Sequence, residues 1–289
     1  MKTFSIVAGT EACNARCPFC ISKMTPKNGI ELKPAIINWR NFKKSALFAK
    51  QKGFTTVMIT SKGEPTLFPN QITEYLENLK EFNFPFIEIQ TNGIAIAEQR
   101  EKFDPFVKKW YDLGLTLSAI SIVHYSPERN KEIYLPYKNK YIDLPNLISY
   151  LHDNGLSVRL STILLSNFID NKKDLERLVL FAKENKVEEL TIRPVNKPED
   201  SIDQEVYDWT KEHQLKKEQL DDMVSYLNDN GKLLLQSQYG AKVYDINGQN
   251  LCLTNSLTSD TNEEEIRQLI FFPDGHLRYD WQYAGAVLL

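Results

Sequence analysis

The sequence predicts an α/β protein built on a parallel sheet, followed by a smaller α+β extension. Three observations predict it. Strand-like and helix-like stretches alternate six times between residues 3 and 195. Several strand stretches are β-rich without strict alternation, as strands buried on both faces are. Beyond Lys197 the pattern changes to a polar, charged stretch and then to short strands.

Taken in order, the strand stretches are 3–9 (TFSIVAG), 54–60 (FTTVMIT), 84–91 (FPFIEIQT), 115–123 (LTLSAISIV), 156–164 (LSVRLSTIL) and 188–195 (EELTIRPV). Helical stretches lie between them near 36–52, 70–81, 98–113, 144–154 and 171–186. The last has a cap in Asp170 or Asn171 and an apolar stripe in Leu175, Leu178, Leu180 and Phe181. Repeated βα units make either an open doubly wound sheet or a barrel, and the alternation alone does not choose. After a polar stretch at 197–217, residues 218–230 read as a helix. Short strands follow at 232–237, 266–272 and 277–282, the last two around the turn Phe272-Pro273-Asp274-Gly275. The segment 254–265 is polar and reads as mobile.

A chain of 289 residues suits one large α/β domain, or a domain with a modest extension. Its 42% hydrophobic and 25% charged content is that of an ordinary globular protein. No apolar run approaches the roughly 20 residues that a membrane helix needs. A net charge of −3 argues against a nucleic-acid partner, since phosphate binding usually shows as a basic domain. The N-terminus runs into a strand pattern without a signal-peptide core. Three of the four cysteines are crowded together, which is no disulfide framework, so a reducing cytoplasm is the expected compartment.

Those three cysteines carry the chemistry. They lie in Cys13-Asn14-Ala15-Arg16-Cys17-Pro18-Phe19-Cys20, a C-x3-C-x2-C spacing that brings three thiolates to one metal centre. A purely electron-transferring cubic iron–sulfur cluster is normally held by four cysteines, and structural zinc is closed by four ligands. Three local ligands therefore point to an iron–sulfur site with an open vertex; the alternatives are a zinc whose fourth ligand lies far off in sequence and three thiols gathered by chance. Barrel-like sheets place their sites at the carboxyl ends of the strands. The remaining motifs fall at such ends: Ser61-Lys62-Gly63-Glu64-Pro65-Thr66, Gln90-Thr91-Asn92-Gly93, Ser121-Ile122-Val123-His124-Tyr125-Ser126-Pro127-Glu128, and Ile192-Arg193-Pro194.

With these motifs the chain resembles the radical S-adenosylmethionine (SAM) enzymes. The resemblance implies a partial (β/α)6 barrel over residues 1–197 and an extension over 198–289 that covers the open barrel side. It implies a [4Fe–4S] cluster on Cys13, Cys17 and Cys20, with SAM on the fourth iron. Reductive cleavage of SAM to a 5′-deoxyadenosyl radical, hydrogen abstraction from substrate, oxygen sensitivity and an electron donor such as flavodoxin or ferredoxin are implied with it. Gly63, Glu64 and Pro65 match the family's GEP motif, which meets the SAM amino group, with Lys62 where relatives often carry another glycine. Thr91 and Asn92 match a turn whose threonine approaches SAM. Ser121 takes a SAM-contacting serine position, and Val123 replaces an acidic residue. Arg159 aligns with a basic residue that meets the SAM carboxylate, its alternative being a barrel-interior ion pair. Arg193 stands where relatives contact adenine through the backbone, and its guanidinium suits an anionic substrate.

The barrel is most similar to the GTP cyclase of molybdenum cofactor biosynthesis, but the C-terminal auxiliary-cluster cysteines are missing. Cys252 stands alone there, as a buried thiol, a distant zinc ligand or a hydrogen-atom donor to a substrate radical. His124 reads as a substrate ligand or acid/base, or as a structural histidine. Arg267, Arg278 and Trp281 are candidate substrate contacts over the open side, or packing positions. The expected substrate is a small polar or anionic metabolite, a nucleotide among them, transformed by epimerisation, cyclisation or dehydrogenation. The alternatives are peptide modification and a non-catalytic zinc or iron–sulfur binding protein.

Overall fold

The computed structural model describes residues 2–237, 240–254 and 266–289. Most of the polar segment 254–265 therefore lies outside the described residues.

The elements run as follows. Strand β1 (Thr3–Val7) leads through the cysteine loop into a one-turn helix, α1 (Ile21–Met24), and then α2 (Trp39–Gln51). Next come β2 (Thr56–Thr60), α3 (Pro69–Leu79), β3 (Phe86–Thr91), α4 (Ile94–Glu98) and α5 (Arg100–Asp112). They are followed by β4 (Leu117–Ile122), α6 (Pro127–Tyr134), α7 (Leu144–Asp153), β5 (Ser157–Leu164), α8 (Lys172–Glu184) and β6 (Glu189–Pro194). The C-terminal part adds α9 (Gln204–Glu212), α10 (Lys217–Asn230), β7 (Lys232–Gln236), β8 (Lys242–Ile246), β9 (Gln249–Leu253), β10 (Gln268–Phe271) and β11 (Leu277–Arg278).

All six expected strands form, in chain order and parallel, each joined to the next by a helical crossover. Among the described residues the sheet has eleven strands in the order β11-β10-β1-β2-β3-β4-β5-β6-β9-β8-β7. Its two ends do not meet, so the barrel is open. Residues beyond 198 lengthen this same sheet at both edges: β10 pairs parallel with β1, and β9 pairs parallel with β6.

The strand registers sort the side chains onto two faces. Phe4, Ile6, Val57, Ile59, Ile89, Ile120, Leu160 and Leu190 form a fully buried layer packed against the helices. The opposite, concave face carries Met58, Glu88, Ala119, Arg159, Ser161, Thr191 and Cys252 in successive register positions. A face this polar is what an internal binding space requires, because a packed core would leave such groups without partners.

Helix α8 begins at Asn171, whose side-chain oxygen accepts from the Lys173 and Asp174 amides at 3.1 Å each. Its buried stripe is Leu175, Leu178, Val179 and Ala182, whereas Leu180 is 53% exposed. Two residues after Leu178 lie some 200° around the helix, so Leu180 turns to solvent.

Candidate active site

The cysteine loop follows β1 and is held by the ends of its neighbours. The Glu64 amide donates to the Ala12 carbonyl at 2.9 Å, and the Ser61 hydroxyl donates to the Thr10 carbonyl at 3.1 Å. From the turn after β3, Asn92 Nδ2 donates to Asn14 Oδ1 at 2.7 Å and lies 3.9 Å from Cys13 Sγ. The Arg16 amide donates to the Tyr134 carbonyl at 3.0 Å, and the Tyr137 hydroxyl donates to the Asn14 carbonyl. The ends of β2 and β3, with the C-terminus of α6 and the turn after it, thus hold the loop.

Gly63 explains why only glycine suits its place. A Cβ there would lie 2.1 Å from the Ala12 carbonyl oxygen and 2.7 Å from the carbonyl carbons of Ala12 and Glu11. The β2 turn can approach the cysteine loop this closely because the side chain is absent.

Glu64 is buried and accepts four hydrogen bonds. They come from the Thr66 amide (3.0 Å), the Thr66 hydroxyl (2.6 Å), the Thr91 hydroxyl (2.5 Å) and the Asn92 amide (2.9 Å). Burial nevertheless raises its pKa, with these donors opposing. The carboxylate therefore splints the β2 and β3 ends together. Thr91, expected to approach SAM, spends its hydroxyl on Glu64 as donor and on the Gly93 amide as acceptor.

Burial pushes the Cys13 thiol up to about 11 and raises Cys17 well above the ordinary range, with the charges of the other two cysteines adding to Cys17. Ligation must displace these protons. Cys252 is remote from the three: it pairs with Thr191 in the sheet, and the charges that reach it are those of Arg159, Glu189 and the N-terminus. Among the described residues no three Cys, His, Asp or Glu side chains converge as a single-ion site would need. Three thiols in one loop, without a fourth protein ligand, fit a multi-iron cluster with an open vertex better than a closed four-ligand ion.

The other expected site residues divide. Ser121, Ser161, Thr191 and Cys252 share one register row on the concave face. Arg193 follows two residues above Thr191; burial and the like charge of Arg159 lower its pKa, while Tyr134 opposes. Arg159 has the second of its two readings. Its guanidinium makes a bidentate ion pair with Glu88 at 2.8 Å for both contacts, and Glu189 lies at 3.5 Å. Burial would lower its pKa, but the carboxylates outweigh this and raise it.

His124 also has its structural reading. It is 8% exposed, its Nδ1 accepts from the Ser126 amide at 2.9 Å, and its ring packs on Tyr125. The charges that reach it come from Asp174, Arg129 and Glu132 on α8 and α6, not from the concave face. Arg278 is buried in an ion pair with Asp274 at 2.8 Å and lies over Phe272, so it is not available to a substrate. Arg267 precedes β10, beside Thr3 at the amino end of the parallel strands, opposite the cysteine loop. Trp281 packs against the buried cluster of Val7, Ile30, Ile270 and Phe272, with its indole N–H donating to Gln268 and its ring 5.9 Å from Lys62 Nζ.

Two groups had no site role on sequence grounds, Lys62 being there only a departure from a usual glycine. Lys62 is buried beside the loop, and Tyr134 and Tyr141 have buried hydroxyls with no hydrogen-bond partner among the described residues. Tyrosine and lysine carry no spacing signal, so only the fold could reveal them.

An open α/β sheet whose first strand ends in a three-cysteine loop, braced by a glycine-glutamate turn, defines a class of proteins built around a three-cysteine cluster site. The Radical SAM superfamily profile matches residues 7–182, and the chain belongs to that superfamily. Enzymes of this superfamily use a [4Fe–4S] cluster and SAM. Among solved structures, Streptococcus suis SuiB bound to S-adenosylmethionine is similar at 14% identity and a TM-score of 0.62, over 96% of this chain and 60% of that one. A radical SAM methyltransferase from Sphaerobacter thermophilus is similar at 14% identity and TM-score 0.57, over 89% and 66%. Methylornithine synthase (PylB) is similar at 14% identity and TM-score 0.55, over 90% and 73%. These likenesses show the fold. The chain spans about 60% of the length of SuiB. No curated protein matches.

Proposed function

We propose that this chain is a radical SAM enzyme whose single cluster is held by Cys13, Cys17 and Cys20. The observation that carries the reading is the bracing of the cysteine loop: Gly63 and Glu64 against Ala12, and Asn92 against Asn14 and Cys13. A structural metal would have no use for a glutamate that ties two further strand ends to its loop. When bound, the cluster and SAM supply an electron and a hydrogen-abstracting radical.

The chain's own residues supply position and shielding. Gly63, Glu64 and Pro65 shape the wall beside the loop, Asn92 fixes its first cysteine, and Ser121 offers a hydroxyl from the concave face. Arg193 adds a cation near the upper end of that face, which suits a small anionic substrate, a nucleotide among them. Residues 198–289 act as the extension that shields this space. Arg159 braces the floor and does not meet SAM.

A second reading concerns Cys252. Its register row with Ser121, Ser161 and Thr191 puts a thiol on the concave face, favouring hydrogen-atom donation to a substrate radical, as an epimerase on a small molecule or a peptide would require. A flavodoxin- or ferredoxin-type protein is the proposed electron source.

The test is anaerobic reconstitution followed by reduction with dithionite in the presence of SAM. Methionine and 5′-deoxyadenosine are expected from the wild type, and a Cys17→Ala variant should hold no cluster and form neither. Intact SAM over a fully loaded cluster would overturn the proposal, as would one zinc and no sulfide in protein purified without oxygen.

A further inference from the structure

Lys62 has an unusual setting. It is 6% exposed, and its ammonium donates to the hydroxyl of Thr25 and, at 3.5 Å, to the Thr25 carbonyl. The Trp281 ring stands 5.9 Å from Nζ and closes the remaining side. Among the described residues no carboxylate pairs with it, and it lies against both ends of the cysteine loop: its neighbour Gly63 abuts Ala12 just before Cys13, and its ammonium reaches Thr25 just after Cys20.

A buried ammonium is costly unless an anion compensates it. Among the described residues none stands there except the cysteine loop. Three thiolates on an iron–sulfur core carry net negative charge, and reduction adds one electron more. A fixed cation in a poorly solvated wall stabilises that extra charge more strongly than it would in water. Net charge around a cluster is among the factors that set its potential.

We infer that Lys62 is a positioning residue for the cluster: its ammonium, anchored by Thr25 and capped by Trp281, compensates the negative charge gathered by the cysteine loop and raises the cluster's reduction potential. This rests on the reading that Cys13, Cys17 and Cys20 hold the cluster. The tail of the chain, through Trp281, thereby shares in the electronics of a loop more than 250 residues earlier.

The experiment is a redox titration of the cluster-loaded protein without SAM, followed by electron paramagnetic resonance. It compares wild type with Lys62→Gln, Lys62→Met and Lys62→Arg. Glutamine keeps a donor for Thr25 while losing the charge, and arginine keeps the charge. At a fixed applied potential both neutral variants should show a reduced-to-oxidised ratio at least tenfold lower, which is 59 mV for a one-electron couple. Lys62→Arg should stay within twofold of wild type. Loss of the cluster from both neutral variants, with retention in Lys62→Arg, would support the same compensation of charge. Ratios within twofold of wild type in both neutral variants would overturn it, since the lysine would then act on packing or on SAM alone. Equal cluster loss from all three variants would overturn it too. A wild type that holds no cluster is a different failure, that of the cysteine assignment itself.

Discussion

Replacing Gly63 with alanine tests the bracing of the cysteine loop by one methyl group. The added Cβ would sit 2.1 Å from the Ala12 carbonyl oxygen, whereas ordinary contact is about 3.5 Å, so the two segments must part by about 1.4 Å. All three nearest atoms are backbone, which cannot swing aside as a side chain can. Parting them stretches the Glu64 amide to Ala12 carbonyl bond from 2.9 Å to beyond hydrogen-bonding range. Overpacking costs about 1–3 kcal/mol and the lost hydrogen bond about 0.5–1.5 kcal/mol, together about 2–4 kcal/mol. Ala12 adjoins Cys13, so the displacement passes directly to a cluster ligand. A 1 Å misplacement costs on the order of a hundredfold in rate, and SAM cleavage should fall by at least that much. Gly285→Ala is the control, because a Cβ there meets nothing within 4 Å. Urea unfolding gives the stability change, and 5′-deoxyadenosine formation gives the rate. A Gly63→Ala protein within about 0.5 kcal/mol of wild type, with unchanged cleavage, would refute the reasoning.

Arg159→Leu should destabilise by about 3–5 kcal/mol, because Glu88 is left charged in a buried place, while Arg159→Leu with Glu88→Leu should recover most of that loss. SAM affinity of the loaded double variant, measured by calorimetry, should match wild type; a large drop would return Arg159 to the SAM carboxylate. For His124, burial lowers the folded-state pKa below the unfolded value of about 6.5. Between those two values the unfolded chain binds more protons, so stability is complete above about pH 6.5 and is lost as pH falls toward the folded pKa. His124→Asn, which keeps an acceptor for the Ser126 amide, should flatten the fall in urea midpoint between about pH 7.5 and 5.5; an unchanged slope would mean that other groups carry it.

The parallel core was legible because each of its strands is a β-rich run between helical periods. The loop residues were legible where chemistry restricts the residue type, as with the three cysteines and with Gly63. Sequence could not say which partner a charged residue would take. Arg159 is equally suited to a ligand carboxylate and to Glu88, and the choice depends on Glu88 lying diagonally across β4, two residues out of register with Arg159, which local pattern does not encode. The same holds for His124 and Arg278, both absorbed by neighbours brought close by folding. One further signal was present and unused. Ile246-Asn247-Gly248-Gln249 contains an Asn-Gly pair between apolar runs, and both central residues have positive φ, the turn that joins β8 to β9. Helix α9 offered less, since its stretch is polar apart from the few positions that meet the core.

The sheet order also explains why the cysteine loop is firm although β1 opens the chain. A first strand at a sheet edge would have one neighbour, and the loop after it would be braced from one side only. Here β10 returns from the C-terminal part and pairs with β1 from Thr3 to Ile6, while β2 occupies the other side. With β1 made internal, its carboxyl end faces the β2 turn directly, which is the approach that Gly63 permits. The hairpin of β10 and β11 then carries Trp281 over Lys62, and Lys62 reaches back to Thr25 just after the loop. The C-terminal residues are thus a structural condition of the strand from which the cysteine loop departs. A loop that binds an anionic group needs two things: backbone bonds that fix its shape and a fixed cation that offsets the charge it gathers.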